Sequence, residues 1–397
     1  MISVEEAVER ITRGFVSLSS ERVPLEDAAG RVLATSIAAR LDHPPAAMSA
    51  MDGYAVRATD ASTGATLTVI GEAPAGRPFA GRVEKNQAVR IFTGGVVPDG
   101  ADSIVIQEDT QAVDGGVVIR ESPRPGENVR RQGLDFRAGD KLFQHGRLLT
   151  ARDLALLAAA DFPELEVVRK PRVALIATGD ELSRPGAARH AGGIVASSIY
   201  AVAALVRGWG GEPLDIGILP DRPEAFAKLP EATRGADLIV TLGGASVGEH
   251  DLVQSALAPQ GFVLDFWKIA MRPGKPLIFG RLRETPLMGL PGNPVSAMVC
   301  AILFLAPAVS AMLGRPYRAP VAKARLVSPL KANGKRQDYV RAKLSTRDGA
   351  VWAEPFALQD SSMQKIFAAA DALIVRAVDA PAANAGDDVD VLLLERF

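Results

Sequence analysis

The hydrophobic and polar positions between Arg172 and Leu313 follow the pattern of an α/β unit. Short apolar runs that predict buried strands alternate there with longer segments that predict helices. The predicted strands are 172–177, 213–217, 236–242, 263–269, 276–279 and 286–289, and the predicted helices are 196–209, 221–234 and 294–313. This alternation is typical of a doubly wound, mostly parallel sheet with helices on both faces, which binds ligands at the carboxyl ends of its strands.

The sequence on either side of this unit has a different pattern. Ser3 and Glu6 form a capping box before an amphipathic helix, and a second helix is predicted over 149–160 with Thr150 as its N-cap. Short strands broken by glycine and proline predict a small β-rich domain, and strands after Pro316 predict a terminal β-barrel or sandwich. These strands are 67–70, 88–91, 103–107 and 117–120, and then 322–327, 339–344, 351–353, 373–376 and 389–394.

Composition narrows the class of protein. The 397 residues predict two to four domains, and 48% hydrophobic with 23% charged residues are typical of packed, soluble domains. A net charge of -1 and 5% aromatic residues argue against nucleic-acid binding. The single cysteine, Cys300, excludes a disulfide framework, and the four histidines lack the spacing of metal ligands.

One uncharged segment, from Pro294 to Leu313, has the length of a membrane span. Pro307 interrupts it, and Asn293 followed by Pro294 is typical of a helix start, so we expect a helix buried between a sheet and a neighbouring domain or subunit. The first residues lack the order of a signal peptide, which makes a cytoplasmic location without membrane contact the default expectation.

A glycine-rich turn is the strongest candidate for a ligand site. It reads Gly243-Gly-Ala-Ser-Val-Gly-Glu-His-Asp251 and joins a predicted strand to a predicted helix. Glycines let the backbone approach a ligand, and the free N–H groups of a helix start suit a phosphate. Asp251 adds a carboxylate, which beside a phosphate indicates a metal ion or a catalytic base.

A second loop carries Asp180 and Glu181 directly after the strand 172–177. Taken alone, it is more readily interpreted as an ordinary acidic loop. Because Asp251 follows another strand of the same sheet, the three carboxylates together could hold Mg²⁺ through oxygen ligands.

Positive charge gathers at a third loop, Arg272-Pro-Gly-Lys275, with Lys268 close by in sequence. A solvated turn and an oxyanion pocket fit this pattern equally well; in the pocket, Arg272 would supply a bidentate fork and Lys275 a point charge. Ser296 lies in the first turn of the helix that follows Gly289-Leu-Pro-Gly-Asn293, where hydroxyl and N–H groups either face an anion or only cap the helix.

Two loops of the β-rich domain are less informative. Asp52 precedes a glycine in the run 48–56, and Thr93 precedes Gly94 and Gly95. By itself, each predicts only a turn.

Taken together, these motifs resemble those of the molybdopterin molybdenumtransferases, the MoeA and gephyrin family. The resemblance covers nearly the whole chain, and the motifs occur in the family's order. They are Met51-Asp-Gly-Tyr-Ala-Val56, Thr93-Gly94, Thr178-Gly-Asp-Glu-Leu182, Gly243-Gly-x-Ser-Val-Gly-x-x-Asp251, Arg272-Pro-Gly-Lys-Pro276 and Leu290-Pro-Gly-Asn-Pro-Val-Ser296.

The resemblance implies an elongated, L-shaped homodimer of four-domain subunits. The implied domains are an elongated dimerisation domain (1–44 with 127–170), a small β-rich domain (45–126), an α/β molybdopterin-binding domain (171–315) and a C-terminal β-barrel (316–397). The implied activity is Mg²⁺-dependent insertion of molybdate into adenylylated molybdopterin with release of AMP. Molybdopterin adenylyltransferase is the implied upstream partner, and molybdoenzymes or cofactor carriers are implied downstream.

The resemblance also assigns the site. The adenylylated pterin would contact Gly243, Gly244, Ser246, Gly248 and Asp221, and molybdate would contact Arg272, Lys275, Ser296, Arg341 and Ser361. Catalytic roles would fall to Asp251, Glu181, Asp180 and Lys268, joined by Asp52 and Thr93 from the partner subunit. Asp251 and Glu181 would hold the metal.

Some positions depart from the family's pattern. Ser198, Leu134 and Ser362 stand where asparagine, glutamate and glycine are common, and Asp221 stands where two acidic residues are common. Two other functions stay open: a molybdopterin adenylyltransferase or nucleotide amidase on the same α/β unit, and a non-catalytic pterin carrier or scaffold. The motifs do not distinguish molybdate from tungstate.

Overall fold

The computed structural model describes residues 1–243 and 256–394. The chain divides into two compact units, Arg22–Val167 and Met1–Glu21 with Val168–Phe397. The opening helix therefore belongs to the same unit as the α/β sheet. The four domain boundaries given above remain a prediction.

The part of the chain before residue 170 consists mostly of short strands. Its helices are α1 (Val4–Arg13) and α2 (Ala151–Ala159). Its strands are β1 (Ser20–Pro24), β2 (Ile37–Ala38), β3 (Met48–Ser49), β4 (Gly53–Val56), β5 (Thr66–Ala73), β6 (Gln87–Ile91), β7 (Ser103–Ile106), β8 (Thr110–Val113), β9 (Gly116–Ile119), β10 (Val129–Arg130), β11 (Lys141–Phe143) and β12 (Glu164–Val168).

The unit Arg22–Val167 contains a six-stranded sheet in the order β7-β4-β6-β5-β9-β8. Ala55 and Val56 are both fully buried but belong to different hydrophobic clusters, because successive side chains of a strand point to opposite faces. The four strands predicted here are confirmed. The sequence did not predict β8, since three of its four side chains are exposed and carry no apolar signal.

The predicted N-cap of α2 is confirmed, and the predicted capping box of α1 forms only in part. In α2, the Thr150 N–H and hydroxyl both donate to Asp153 Oδ2, at 2.9 and 3.0 Å, which confirms Thr150 as the N-cap. In α1, Ser3 Oγ accepts from the Glu6 N–H at 3.1 Å. The Glu6 carboxylate accepts from Arg10 instead, at 2.7 Å, because the two side chains lie one turn apart.

The central sheet of the other unit confirms the predicted α/β arrangement. Its helices are α3 (Ser198–Gly208), α4 (Pro223–Ala227) and α5 (Leu229–Ala232), so the predicted helix 221–234 is broken at Lys228, just before Pro230. The strands of this part of the chain are β13 (Arg172–Thr178), β14 (Leu182–Ser183), β15 (Ile194–Val195), β16 (Glu212–Leu219), β17 (Leu238–Leu242), β18 (Phe262–Trp267), β19 (Met271–Arg272), β20 (Ile278–Leu282) and β21 (Thr285–Leu290). Of these, β14 and β15 pair only with each other, and β19 lies outside the central sheet.

The strand order is β16-β13-β17-β21-β20-β18. Pairing is parallel from β16 to β21 and antiparallel from β21 to β18. Only Arg283 and Glu284 separate β20 from β21, which is too short for a parallel crossover. The sheet is therefore mixed, and its parallel half carries the ends where ligands are expected.

The uncharged segment forms one long helix: α6 (Pro294–Cys300), a π-helical turn (Ala301–Leu305) and α7 (Ala306–Met312). The wide turn lies just before Pro307, where an α-helix would place the proline ring against a carbonyl. Within residues 1–243 and 256–394 it is the one helix long and apolar enough to cross a membrane, and 78% of it is buried inside the protein. The predicted burial is confirmed.

The last strands close a barrel. They are β22 (Val321–Leu326), β23 (Gln337–Arg347), β24 (Ala350–Pro355), β25 (Ala372–Arg376) and β26 (Asp388–Leu393), with helix α8 (Gln364–Ala369). The order β23-β24-β22-β26-β25 closes because β25 also pairs with β23. Of the two predicted alternatives, the barrel is confirmed.

Candidate functional site

The carboxyl ends of three neighbouring strands meet at one edge of the central sheet. The Gly243 N–H, at the end of β17, donates to the Leu290 carbonyl at 3.1 Å. A Cβ on Gly243 would lie 2.6 Å from the Thr178 carbonyl oxygen, and one on Gly292 would lie 3.6 Å from the Gly243 Cα. Gly243 also has a φ of 106°. Only glycine fits this conformation and this space, so the first glycine of the turn is required by packing.

Two buried hydroxyl groups lie at this edge. Thr178 Oγ1 and Thr241 Oγ1 have no hydrogen-bond partner among the described residues. A buried hydroxyl without a partner loses its hydration without compensation. Polar atoms of a ligand or ordered waters are the partners expected here.

The acidic loop after β13 lies at the same edge, and its Asp180 and Glu181 are exposed. The Glu181 backbone carbonyl accepts from the Ile194 N–H at 2.8 Å, and His190 Nε2 lies 3.1 Å from the Asp180 carbonyl oxygen. The Glu181 carboxylate lies over Gly179, where a Cβ would be 2.6 Å from its Oε2. The backbone is thus held while both carboxylates stay accessible.

Asp221 follows β16, the neighbour of β13. The last residue of β16, Leu219, accepts from the Gly179 N–H at 3.2 Å, which brings Asp221 to the same edge. Of the predicted pterin contacts, Gly243 and Asp221 are therefore placed at the strand ends.

Gly244, Ser246, Gly248 and Asp251 lie outside the described residues. Among the residues that are described, no three His, Cys, Asp or Glu side chains form a group that could hold a metal ion. The metal site assigned to Glu181 and Asp251 therefore stays a prediction.

The basic turn packs against the long helix. Gly274 has a φ of 106°, and a Cβ there would overlap the Cys300 Sγ. The Cys300 thiol lies 3.6 Å from the Gly274 carbonyl oxygen, and the Lys275 carbonyl accepts from the Ile269 N–H at 3.0 Å. Burial raises the pKa of the Cys300 thiol, as expected of a thiol without a reactive role.

The barrel provides the partner of Arg272. Arg272 pairs with Asp338 in the parallel bridge between β19 and β23, and Arg272 Nη2 donates to Asp338 Oδ2. The Arg272 side chain is 61% exposed and that of Asp338 is 8% exposed. The Lys268 ammonium lies 3.4 Å from the centroid of the Trp267 ring, a cation–π contact.

Arg341 is almost fully buried, at 1% exposure. Its Nε donates to Gln359 Oε1 at 2.9 Å, and its Nη1 donates to the Asp360 carbonyl at 2.7 Å. Burial lowers the pKa of the guanidinium, and the Asp360 carboxylate opposes this effect. The group remains a cation because arginine does not lose its proton in proteins.

Ser361, which follows the Asp360 that Arg341 contacts, forms a hydrogen bond with the start of α6. The Ser361 carbonyl accepts from the Val295 N–H at 3.1 Å, and Ser296 is buried in the first turn of α6. Arg341, Ser361 and Ser296 are thus brought together from the barrel and the α/β sheet. Sequence reasoning missed Gln359 and Asp338, because neither stands in a recognisable motif and their partners are distant in sequence.

The departure at Ser362 has a visible role. Its N–H and hydroxyl both donate to Asp360 Oδ1, at 2.8 and 2.5 Å. The Ser362 hydroxyl first, and then its N–H, hold the pKa of the Asp360 carboxyl below its ordinary value. Where the family commonly has glycine, this chain closes the loop with a side chain.

In the unit Arg22–Val167, Asp52 and Thr93 contact each other directly. The Thr93 N–H and hydroxyl donate to Asp52 Oδ1 at 2.7 and 2.8 Å. These two bonds, with a smaller effect of the Arg90 guanidinium, lower the pKa of the Asp52 carboxyl. Two loops that separately predict only turns therefore present one ionised carboxylate.

Three family models together match most of the chain. The chain matches the family models "MoeA N-terminal region (domain I and II)" over residues 2–160, "Probable molybdopterin binding domain" over 174–311 and "MoeA C-terminal region (domain IV)" over 323–394.

Similar proteins match over nearly the whole chain. A molybdopterin molybdenumtransferase of Nostoc sp. is 38% identical over 94% of this chain and 89% of its own. One of Haemophilus influenzae is 35% identical over 94% of this chain and 93% of its own. The structure of the molybdopterin biosynthesis MoeA protein from Pyrococcus horikosii covers 100% of both chains at 30% identity, with a TM-score of 0.88. The chain therefore belongs to the molybdopterin molybdenumtransferase (MoeA) family, transferases that insert molybdenum in molybdenum-cofactor biosynthesis.

Proposed function

We propose that this protein inserts molybdate into adenylylated molybdopterin and releases AMP. The observation that carries this proposal is one continuous row of groups in a single unit of the chain. The row begins at the glycine turn at Gly243, crosses the start of α6 at Ser296 and ends at Arg341 in the barrel. A phosphate-type turn and a set of cations at the two ends of one row suit a phosphorylated ligand and an oxyanion.

The proposed molybdate subsite must bring two anions together, molybdate and the phosphorylated pterin. Molybdate is a dianion, and the pterin already carries a phosphate and a dithiolene. The buried Arg341, together with Arg272 and Lys275, would place positive charge where the negative charge accumulates, before substrate arrives. In the first turn of α6, where the Val295 N–H is already bonded to Ser361, the N–H and the hydroxyl of Ser296 would add hydrogen-bond donors.

We also propose that the reaction depends on Mg²⁺, held by the carboxylates of Glu181 and Asp251 and by oxygens of the substrate. The Glu181 carboxylate is exposed at the strand ends, and carboxylate oxygens are the hard ligands that Mg²⁺ prefers. Two carboxylates would leave room for phosphate and water. When bound, the ion would neutralise charge on the diphosphate. Asp180 and the ammonium of Lys268 would complete the charge around the same ligand.

The proposal extends to the assembly. Asp52 and Thr93 would reach the site from the partner subunit of a homodimer. We propose a cytoplasmic protein that takes its substrate from molybdopterin adenylyltransferase and passes the finished cofactor to molybdoenzymes or to cofactor carriers. A stand-alone adenylyltransferase or amidase is disfavoured, because the N-terminal and C-terminal family regions both match.

The first test replaces the carboxylate beside the glycine turn. Asp251→Ala should abolish most molybdate-dependent AMP release from adenylylated molybdopterin, measured by chromatography of the nucleotide. Asp390→Ala is the control, since that carboxylate lies on the barrel in a surface pair with Lys323. Undiminished AMP release by Asp251→Ala would remove Asp251 from the mechanism.

The second test separates the proposed molybdate subsite from the proposed pterin subsite. The double variant Arg272→Ala/Lys275→Ala should lose molybdate affinity while it still binds adenylylated molybdopterin. The two affinities are measured separately by titration calorimetry. An equal loss of both affinities would contradict two distinct subsites.

A further inference from the structure

Arg272, which the family resemblance assigns to molybdate binding, already forms an ion pair with the carboxylate of Asp338. Arg272 Nη2 donates to Asp338 Oδ2, so an internal carboxylate holds the guanidinium in the absence of substrate. A carboxylate and a tetrahedral oxyanion present similar pairs of oxygens to an arginine fork. Asp338 and an entering oxyanion therefore compete for the same donor.

Among the residues that the structure describes, the second oxygen of Asp338, Oδ1, has no hydrogen-bond partner although it is buried. The same holds, within that part of the chain, for the buried Arg376 Nε on the neighbouring strand. Asp338 and Arg376 stand directly opposite each other in the antiparallel pair of β23 and β25. Side chains of directly opposite residues lie on the same face with their Cβ atoms about 5 Å apart. An unsatisfied acceptor and an unsatisfied cationic donor thus lie side by side.

The Arg376 guanidinium is only partly satisfied where it stands. Its Nη2 donates to the Pro381 carbonyl, and the Asn333 amide donates to the Arg376 carbonyl at 3.0 Å. The backbone of this corner is therefore fixed, while the Nε–H of the guanidinium has no acceptor among the described residues. Asp338 has one cation on each side and ion-pairs with the one that belongs to the basic turn.

We propose that Asp338 is an internal counter-ion of Arg272, and that a bound oxyanion takes over Arg272 while Asp338 turns to Arg376. The inference rests on the proposed molybdate pocket and adds a specificity-determining residue to it. A singly charged anion gains no more from the charge of Arg272 than the carboxylate that it displaces, whereas a dianion gains more. Asp338 would therefore select dianions such as molybdate against nitrate or chloride.

The test uses the full-length protein and sodium molybdate alone, with binding measured by titration calorimetry at fixed ionic strength. Asp338→Asn removes the competitor and should lower the molybdate Kd by about three- to tenfold. It should also let nitrate compete with molybdate at lower concentrations than in the wild type. Arg376→Gln removes the second partner of Asp338 and should raise the molybdate Kd by about threefold.

Two matched controls come from the same barrel. Asp390→Asn and Arg325→Gln remove one carboxylate and one guanidinium from exposed pairs and should leave the Kd unchanged. The opposite signs expected for Asp338→Asn and Arg376→Gln separate competition from a general loss of structure, which would weaken binding in both. Thermal unfolding of each variant verifies that it is folded.

An unchanged or higher molybdate Kd for Asp338→Asn would overturn the inference, and so would tighter binding by Arg376→Gln. Nitrate that competes no better with Asp338→Asn would also overturn it. Absence of molybdate binding by the wild type and by every variant would instead overturn the proposed molybdate pocket. Failure of the inference is thus distinguishable from failure of the proposed function.

Discussion

At the scale of single residues, Asp52 is a carboxylate whose ionised form is stabilised by its own neighbours. Two hydrogen bonds from Thr93 lower the pKa of its carboxyl, so the group is ionised throughout the neutral range. Because the folded-state pKa lies below the unfolded one, the carboxylate stabilises the fold above the unfolded value. That contribution is lost as the pH falls through the folded pKa.

Thr93→Val removes the hydroxyl donor but keeps the shape and the backbone N–H. We expect the pKa of Asp52 to rise part of the way toward its ordinary value, measured by carbon-detected NMR titration of the carboxyl. Thr93→Ser keeps the hydroxyl and should leave the pKa where it is. An unshifted pKa in Thr93→Val would show that the backbone N–H alone holds the carboxylate.

Candidate site residues could be identified from the sequence where they stand in motifs and not elsewhere. The motifs indicated Asp52 and Thr93, and the structure adds their direct contact. Asp338 carried no signal, since its partner Arg272 lies 66 positions earlier and a strand pairing brings the two together. Such a contact depends on the pairing of a barrel strand with the basic turn. A single sequence carries no information about that pairing.

At the scale of elements, strands with a continuous apolar run were predicted well. The predicted strand 172–177 is β13 (Arg172–Thr178), and 88–91 is β6 (Gln87–Ile91). Exposed or two-residue strands such as β8 and β19 were missed, because their stability comes from neighbours and not from their own side chains. The π-helical turn before Pro307 was also beyond the sequence pattern, which shows only an interruption.

Gly274 gives the sharpest prediction about an element. Gly274→Ala places a methyl group against the Cys300 Sγ at a positive φ, so it should lower the free energy of unfolding by about 1–3 kcal/mol and weaken molybdate binding. Denaturant unfolding measures the first effect and calorimetry the second.

Two control variants test whether the contact between residue 274 and the Cys300 sulfur causes this loss. Gly334→Ala meets nothing within 4 Å and should change little. Adding Cys300→Ala to Gly274→Ala should restore part of the stability, since the overlapping sulfur is gone while the backbone strain remains. A double variant no more stable than the two single losses combined would argue against this contact.

At the scale of the whole molecule, the family resemblance predicted what local patterns could not. The three family regions match in order along the chain, and the α/β sheet and the C-terminal barrel have the predicted architectures. The opening helix lies in one compact unit with the α/β sheet, although its sequence pattern indicates only that it is amphipathic. Grouping of distant segments depends on tertiary contacts and has no local signature.

The proposed homodimer makes a prediction about mixed subunits. Asp52→Ala and Asp251→Ala should each be inactive alone, because each damages every site. If Asp52 acts in its partner's site, subunits mixed at random form heterodimers in which one of the two sites is intact. Activity should then recover to about a quarter of the wild-type value.

AMP release by the separated and mixed variants, after dissociation and reassociation, measures this recovery. Two different affinity tags, one on each variant, show whether heterodimers have formed. Mixed variants that stay inactive although doubly tagged heterodimers are recovered would place Asp52 in its own subunit's site or outside any site.

The long helix has one more consequence. Its first turn receives the Ser361 carbonyl at Val295, and five residues later Cys300 supports the basic turn through Gly274. These two supports are about 7.5 Å apart along the helix axis. The helix therefore fixes the separation of these two contacts, which are the two walls of the proposed oxyanion pocket. An inserted residue would offset one wall by about 1.5 Å and turn it by about 100°.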